Sequence, residues 1–270
     1  MELIKYVILG IIQGLTEPLP ISSSGHLLIF RELFNTNMFN DLNFEVMVNF
    51  GSFIAILIIF WKDIVRLVTS FFKYLFADKK DKKKYYEDFK YCMLIVVGSI
   101  PVGIIGLIFK DKIEAFASVK EVGFALLITA LALFIVKNSK GKKKDNEITY
   151  KDAIIIGLFQ MCALLPGLSR SGMVLVGCLL CGLNRESSLK YTFMLYFPVS
   201  VASFGLSSID VLKSGIASNL LLSYFLGMVA AGIVTYFTYQ WLSKIVQNGK
   251  LWKFSIYCVV VALFIFIYFR

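Results

Sequence analysis

Residues 13–26 read QGLTEPLPISSSGH, a polar segment rich in proline and glycine that separates two short apolar runs. The runs, Leu3–Leu15 and Ser22–Leu33, are each shorter than the roughly 20 apolar residues that a membrane-spanning helix needs. Two short helices joined by a polar turn are typical of a re-entrant hairpin. Lipid cannot solvate the backbone of such a turn, so we expect it to be buried in protein or to line a cavity.

A second segment of this kind lies in the other half of the chain. Residues 166–172 read PGLSRSG and separate the apolar runs Ala153–Leu165 and Gly172–Leu183. A shift of 147 residues aligns the two segments, and the matched pairs are Gly10 with Gly157, Gln13 with Gln160, Ser22 with Ser169, Ser24 with Ser171 and Gly25 with Gly172. The alternative is chance matching of glycines and serines in apolar sequence. We interpret the match as an internal repeat.

The composition indicates an integral membrane protein. Of 270 residues, 58% are hydrophobic and only 17% are charged, whereas soluble domains are about 45–50% apolar and about 25% charged. The five cysteines lie in apolar runs and do not form a disulfide framework. The net charge of +10 comes largely from lysines between apolar segments, where they attract anionic lipid. We therefore expect a lipid bilayer, and no nucleic acid, as a partner.

Six apolar stretches are close to spanning length. They are Val46–Trp61, Cys92–Phe109, Val122–Val136, Tyr191–Ser207, Asn219–Leu242 and Phe254–Phe269. If residues 62–90 are cytoplasmic, 20 of the 28 Lys and Arg residues fall in inner segments and seven in outer ones, as the positive-inside rule requires. Both termini then lie outside, and the first hairpin enters from the outside.

The predicted fold is an all-α integral membrane protein with about six transmembrane helices and two re-entrant helical hairpins. Each half, residues 1–147 and 148–270, holds one hairpin and three spans. An odd number of crossings gives the two halves opposite orientations, so they form inverted-topology repeats within one functional domain. Transporter folds of this type place their sites at interrupted helices near the midplane. We expect the site in residues 13–26 and 160–172.

The residues of the first loop point to reactive chemistry. Glu17 and His26, the single histidine of the chain, are ionisable groups in apolar surroundings, and such groups within membranes are functional by default. The alternative is that Glu17 caps a helix and His26 binds the other hairpin. Ser22 or Ser23 is a candidate helix N-cap, and helix N-termini bind phosphate.

Arg170 in the second loop stays charged and needs an anionic partner. A guanidinium suits phosphate oxygens, and the alternative partner is Glu17 across the repeat. Together the loops hold anion donors, a carboxylate and an imidazole, which suit phosphoryl transfer. A transporter of a phosphate-bearing substrate would need only the donors, and the residues alone leave both functions open.

The two motifs resemble the first and second signatures of the bacterial undecaprenyl-diphosphatase family, the bacitracin-resistance phosphatases. Phe44-Glu45-Val46, Gly51-Ser52 and residues 182–186 are also similar, so the resemblance covers nearly the whole chain. It implies hydrolysis of undecaprenyl diphosphate to undecaprenyl phosphate at the outer face of the bacterial plasma membrane, with Mg²⁺ or Ca²⁺ as the cofactor. It also implies recycling of the lipid carrier for peptidoglycan synthesis.

The resemblance further implies roles for individual residues. Glu17 is the motif carboxylate, expected near the metal, and Ser23 or His26 is the nucleophile or base. Arg170 holds the diphosphate, and the residues that assist it are Ser169, Ser171 and Gly167, with Ser22 and Ser24 lining the pocket. Glu45 matches an acidic position of the family, either behind the site or as an interfacial charge.

Two positions depart from the family pattern. Gln13 stands where a glutamate is common, so its carbonyl oxygen would ligate a metal without charge. Pro18 stands where an aromatic residue is usual, and it restricts Glu17 away from helical conformation. We therefore expect metal ligands that differ from those typical of the family.

The residues are also compatible with functions other than hydrolysis. A polyprenyl-phosphate transporter or flippase on the same inverted-repeat scaffold is the main alternative. The other lipid phosphatase superfamily needs two histidines in separate motifs, and this chain has one. A homodimer is a further hypothesis, since Gly227 and Ala230–Gly232 would permit close approach of helices, either between chains or within one.

Overall fold

The computed structural model describes residues 2–34, 42–115, 118–214 and 219–269, and their regular secondary structure is helical, with no β-strand in these ranges. The helices are α1 (Glu2–Thr16), α2 (Ser23–Phe34), α3 (Leu42–Ile59), α4 (Trp61–Phe76), α5 (Lys82–Ala115), α6 (Val119–Ile135), α7 (Tyr150–Cys162), α8 (Arg170–Leu180), α9 (Arg185–Ser214), α10 (Leu221–Gln247) and α11 (Trp252–Tyr268), with a 3-10 turn at Asp145–Glu147. Both predicted hairpins are present as helix pairs, α1–α2 and α7–α8. The all-helical prediction is confirmed for these residues.

Local sequence explains where several helices begin and end. Pro18 and Pro20 follow the end of α1, and proline disfavours helix at the residue before it. A capping box of Thr149 and Asp152 starts α7, in which each side chain accepts a hydrogen bond from the backbone N–H of the other residue. These local signals mark the end of α1 and the start of α7.

The segment after the first predicted span differs from the prediction. The span was expected over Val46–Trp61, but α3 ends at Ile59 and the chain bends by 75° into α4, of which Trp61 is the first residue. Residues 62–90, expected as a loop, contain α4 and the first turns of α5. In α4, buried Leu67 and Ser70 share one face while apolar residues elsewhere are exposed. Charged residues interrupt the apolar ones at helical spacing, so no continuous apolar run marks this helix.

Two described helices are long and apolar enough to cross a membrane by length and composition, Lys82–Phe109 and Leu221–Gln247. The bent pair α3–α4 raises this number to three if it counts as one span. Helices α6 and α11 have 17 residues each. The apolar helices agree with a membrane protein, and the count of six spans stays a prediction.

Helix packing brings together elements that are distant along the chain. Helix α1 lies against α10 and α3, α7 lies against α5, and α11 lies against α6. A Cβ atom on Gly10 would overlap the carbonyl oxygen of Gly227, and one on Gly157 would overlap the carbonyl oxygen of Gly98. Only glycine permits these two close helix crossings.

The small residues of α10 pack within one chain. Gly227 faces Gly10, the backbone of Ala231 lies against Gly14, and Gly232 lies over the carbonyl oxygen of Gly51. Of the two uses considered for these residues, the structure shows the intramolecular one. The homodimer stays a prediction that these residues do not support.

Candidate functional site

The first loop is held in a strained turn that begins α2. Ser22 has a φ of 68°, in the left-handed region that non-glycine residues seldom adopt. Its hydroxyl accepts a hydrogen bond from the backbone N–H of Gly25, so Ser22 is the N-cap of α2 and Ser23 is its first residue. The cap directs the N-terminus of α2 toward the second loop, since Ser22 and Gly167 both lie within van der Waals reach of the Gly25 Cβ position.

The second loop repeats this design. Ser169 is the N-cap of α8, and its hydroxyl accepts from the backbone N–H of Gly172. Gly167 has a φ of 89°, and a Cβ there would meet Val122 of α6. The hydroxyl of Ser171 donates to the carbonyl oxygen of Leu19, which ties the second loop to the first. Two helix N-termini therefore meet where the two hairpins touch.

An ion pair joins the loops. The Nη2 atom of Arg170 lies 2.9 Å from Oε1 of Glu17, whose side chain is only 8% exposed. The guanidinium also lies over the ring of Tyr196, 4.4 Å from its centroid. The partner foreseen for Arg170 across the repeat is thus present, and it neutralises a charge that would be costly alone in an apolar chain.

The second oxygen of Glu17 collects two further donors. Ser23 Oγ donates to Oε2 over 2.5 Å, and Gln13 Nε2 donates to the same oxygen over 2.9 Å. Gln13 Nε2 also lies 2.5 Å from Oδ1 of Asn49 on α3. The carbonyl oxygen Oε1 of Gln13 is buried and has no hydrogen-bond partner among the described residues. A hydroxyl held on a carboxylate is the arrangement of a serine nucleophile beside its base.

His26 lies behind the loop rather than in the cavity. Its Nδ1 is 2.7 Å from the carbonyl oxygen of Ser22, which can only accept, so Nδ1 carries the hydrogen. In the neutral ring Nε2 then accepts from the hydroxyl of Tyr257, 2.8 Å away on α11, and the two rings stack. The imidazole thus fastens the strained Ser22 to α11.

A cavity of about 330 Å³ opens between the two loops. The predicted residues that line it are Glu17, Ser22, Ser23, Ser24, Ser169, Arg170 and Ser171. Gln13, His26 and Gly167 are not among its lining residues, and neither is half-buried Glu45, which interacts electrostatically with Arg31 and Glu17. Helix N-termini, hydroxyls and a guanidinium around one cavity suit an anion that carries several oxygens.

The structure adds residues that sequence reasoning did not assign to the site. Asn49 of α3 lines the cavity, and so do Tyr196, Thr192 and Ser200 of α9. Gln160 of α7 also lines it, and this residue begins the range 160–172 in which the sequence predicts the site. The first four residues lie in apolar runs, and only the packing of α3 and α9 against the hairpins brings them here.

The described residues contain no group of three His, Cys, Asp or Glu side chains that would hold a metal. Two oxygen donors of the kind that Mg²⁺ prefers nevertheless belong to neighbouring side chains, because Gln13 Nε2 donates to Glu17 and the carbonyl oxygen of the same amide is unpartnered among the described residues. Mg²⁺ is commonly bound by one or two carboxylates with substrate phosphates. The donor set fits a cation that binds with a phosphate-bearing substrate.

Residues 6–264 match the family described as bacitracin resistance protein BacA. Undecaprenyl-diphosphatase 2 of Bacillus thuringiensis (strain Al Hakam) is 41% identical over 267 residues, which cover 98% of this chain and 97% of that protein. Undecaprenyl-diphosphatase of Oceanobacillus iheyensis is 40% identical over 269 residues, with coverage of 98% and 96%. Undecaprenyl-diphosphatase 1 of Bacillus licheniformis is 41% identical over 270 residues, with coverage of 99% and 98%. The chain belongs to the bacitracin resistance protein BacA family.

Proposed function

We propose that this protein hydrolyses undecaprenyl diphosphate to undecaprenyl phosphate and inorganic phosphate. The activity would recycle the lipid carrier for peptidoglycan synthesis and confer bacitracin resistance. The similarity to undecaprenyl-diphosphatases over 98% of the chain supports the substrate. The observation that carries the chemistry is the contact of Ser23, Glu17 and Arg170 at the edge of one cavity.

The contacts support Ser23 as the nucleophile and Glu17 as its base. Ser23 Oγ would attack the terminal phosphorus while its proton passes to Glu17 Oε2, with which it already shares a hydrogen bond. The bond from phosphorus to the bridging oxygen breaks, and undecaprenyl phosphate departs. Water would then attack the phosphorus of the phosphoserine, and the bond from phosphorus to Ser23 Oγ would break. Inorganic phosphate would depart, and Ser23 Oγ would recover its proton from Glu17. Arg170 would leave Glu17 for the phosphate oxygens, where a planar guanidinium binds well.

His26 acts in this proposal by positioning the loop. Its two ring nitrogens contact Ser22 and Tyr257, and no contact with Ser23 is seen. Loss of the imidazole would release Ser22 from its left-handed conformation and move the adjacent Ser23 away from Glu17. The same group would still be essential, but through the geometry of the loop.

A divalent cation, Mg²⁺ or Ca²⁺, is proposed as the cofactor. Glu17 and the carbonyl oxygen of Gln13 are the residues that would hold it, together with phosphate oxygens of the substrate. The bound cation would neutralise charge that develops on the phosphoryl group. Asn49 and Ser23 would keep the Gln13 and Glu17 side chains in place, as their short contacts indicate.

The inverted repeat over residues 1–147 and 148–270, with six spans and two re-entrant hairpins, is also part of the proposal. The close crossing of Gly10 with Gly227 has its counterpart in that of Gly157 with Gly98, and each joins a hairpin of one half to a span of the other. The caps Ser22 and Ser169 likewise correspond. These equivalences are stronger support than the sequence match, because chance identities would not reproduce matching contacts.

The charge distribution supports the orientation. If the lysine-rich segments are cytoplasmic, as the positive-inside rule favours, the first loop would face the outer side of the bacterial plasma membrane, where the diphosphate would be cleaved. The bilayer supplies the substrate laterally, so the C55 tail would remain in lipid.

The proposal is tested by phosphate release from undecaprenyl diphosphate by the purified protein in detergent, with and without EDTA. We expect release that EDTA stops and that His26→Ala abolishes while the variant keeps its helical circular dichroism. Trapping with ³²P-labelled substrate separates the nucleophiles, because phosphoserine survives acid and phosphohistidine does not. Acid-labile label would contradict the role of Ser23.

The inverted repeat is the observation that favours a transporter as the second candidate. If folded wild-type protein releases no phosphate with any divalent cation, transport of a polyprenyl phosphate becomes the better proposal. Movement of the labelled lipid across reconstituted vesicles would then be the test.

A further inference from the structure

Gln160 is a buried amide without a partner. Its side chain lies on α7 and lines the cavity, yet the residue is only 1% exposed. Neither Oε1 nor Nε2 has a hydrogen-bond partner in the part of the chain that the structure describes. Nearly all buried polar groups in proteins are hydrogen-bonded, and leaving one unsatisfied destabilises the fold. The buried amide therefore destabilises the folded protein, and no hydrogen bond from a described residue offsets this cost.

The counterpart in the first hairpin shows what is missing. Gln13 uses Nε2 to contact both Glu17 and Asn49. The shift of 147 residues carries those two partners to Leu164 and Tyr196, which line the cavity and make no hydrogen bond with Gln160. The second hairpin thus has a glutamine at the same position but lacks the side chains that accept its hydrogen bonds in the first hairpin.

Ligand binding explains an unoccupied amide at this place. Among the described residues that line the cavity, Arg170 is the one with a guanidinium, and this group is paired with Glu17. A diphosphate carries more oxygens than one guanidinium can bind, so it requires further donors. The loops provide helix N-termini and serine hydroxyls, and the amide of Gln160 adds a neutral donor from α7, outside both loops.

We infer that Gln160 binds the substrate, with Nε2 donating a hydrogen bond to a phosphoryl oxygen of the bound diphosphate. The inference rests on the proposed function for the identity of the ligand. It makes Gln160 a binding residue and gives it no part in bond cleavage. The buried amide that destabilises the folded protein is thus the same group that binds the ligand.

The test compares Gln160→Met with the matched control Gln247→Met, whose amide is exposed on α10 and bonds Ser243. Methionine has a similar volume and no unsatisfied polar group. We expect the KM for undecaprenyl diphosphate to rise about tenfold in Gln160→Met, equivalent to about 1.4 kcal/mol, with kcat within about threefold of wild type. The melting temperature of the ligand-free variant should equal or exceed that of wild type, because the desolvated amide is gone. The control should change neither quantity.

If the wild-type protein is active, either of two results would overturn the inference. A KM within twofold of wild type would show that the amide does not touch the substrate. A lower melting temperature or an unfolded variant would show that the amide has a structural partner. If wild-type protein releases no phosphate at all, the proposed function fails. Binding by Gln160 is then tested by the rise in melting temperature on adding undecaprenyl diphosphate. A rise in wild type and control that is smaller in Gln160→Met retains the inference, and equal rises or none overturn it.

Discussion

The two hairpins have matching glycine contacts and serine caps, but they carry different reactive side chains. Both cross a partner helix at a glycine, Gly10 in α1 and Gly157 in α7, and both begin their second helix at a serine cap. The reactive groups do not correspond: Leu164 and Met173 stand at the positions of Glu17 and His26, and Ser23 stands at the position of Arg170.

The difference separates what the fold requires from what the site requires. Glycines and caps recur because each hairpin must pack closely against a partner helix and must satisfy the backbone N–H groups at the start of its second helix. The charged groups occur once, since two like charges facing each other in a small cavity would repel. One hairpin contributes the carboxylate and the other the guanidinium, and the contact between hairpins completes the site.

The largest effect is expected at the guanidinium of the second hairpin. Arg170→Ala should lower kcat/KM for undecaprenyl diphosphate about a thousandfold, because it removes the main positive charge at the phosphoryl group and leaves Glu17 unpaired. Arg170→Lys should restore little, since an ammonium cannot bind two phosphate oxygens in a plane. Phosphate-release kinetics on folded variants measure both. Near-normal turnover of the alanine variant would remove Arg170 from the site.

The shared part of the comparison is tested by adding one methyl group to each hairpin. Gly10→Ala and Gly157→Ala should each lower the free energy of unfolding by roughly 1–3 kcal/mol or more, because the Cβ would overlap a backbone carbonyl. Gly103→Ala is the control, as nothing lies within 4 Å of its Cβ position. Alanine there should be neutral or slightly stabilising in a helix. Thermal unfolding in detergent measures all three. Equal tolerance of the three variants would refute the close crossings.

A smaller effect is expected at Tyr257, the hydrogen-bond partner of His26. The second hairpin has no such contact, because Met173 stands at the position of His26. Tyr257→Phe removes one hydrogen bond and keeps the stacked ring, so turnover should fall about fivefold, consistent with about 1 kcal/mol. Phosphate release by the variant, beside Tyr268→Phe as a control on the same helix, provides the measurement. A drop as large as that of His26→Ala would show that the tyrosine hydroxyl itself is essential.

The smallest effect concerns the start of α7, which an ion pair between Asp152 and Lys143 stabilises. Helix α1 lacks this ion pair, because Lys5 stands at the position of Asp152. Burial raises the pKa of Asp152, but hydrogen bonds from Thr149 and Lys143 and the lysine charge outweigh it, so the pKa lies below the ordinary 3.8. A lowered pKa adds stability above pH 3.8 that is lost as the pH falls through the folded-state pKa. Asp152→Asn should therefore cost about 1 kcal/mol at neutral pH and less near pH 3. Chemical unfolding at both pH values checks this, and a pH-independent difference would contradict it.

The features that sequence reasoning predicted are those with local or electrostatic causes. The cap at Ser22, one of the two candidates, follows from a hydroxyl at the start of an apolar run, and a buried Arg170 needed an anion, for which Glu17 was a candidate. Ser169 was predicted only to assist Arg170, and its position as the cap of α8 is seen in the structure. Helix α4 was not predicted, because charged residues interrupt its apolar residues. The placement of Asn49 and Tyr196 in the cavity depends on how α3 and α9 pack, which no single segment encodes.

The two glycine crossings also differ in when they can form during synthesis. Gly157 meets Gly98, which has already emerged from the ribosome, so α7 finds its partner helix at once. Gly10 meets Gly227, near the end of the chain, so α1 must wait until almost the whole protein has been made. During that interval α1 can pack against α3 but lacks α10, the helix that it crosses at Gly10. The hairpin that carries the carboxylate and the serine is thus the first to be translated and among the last to be assembled.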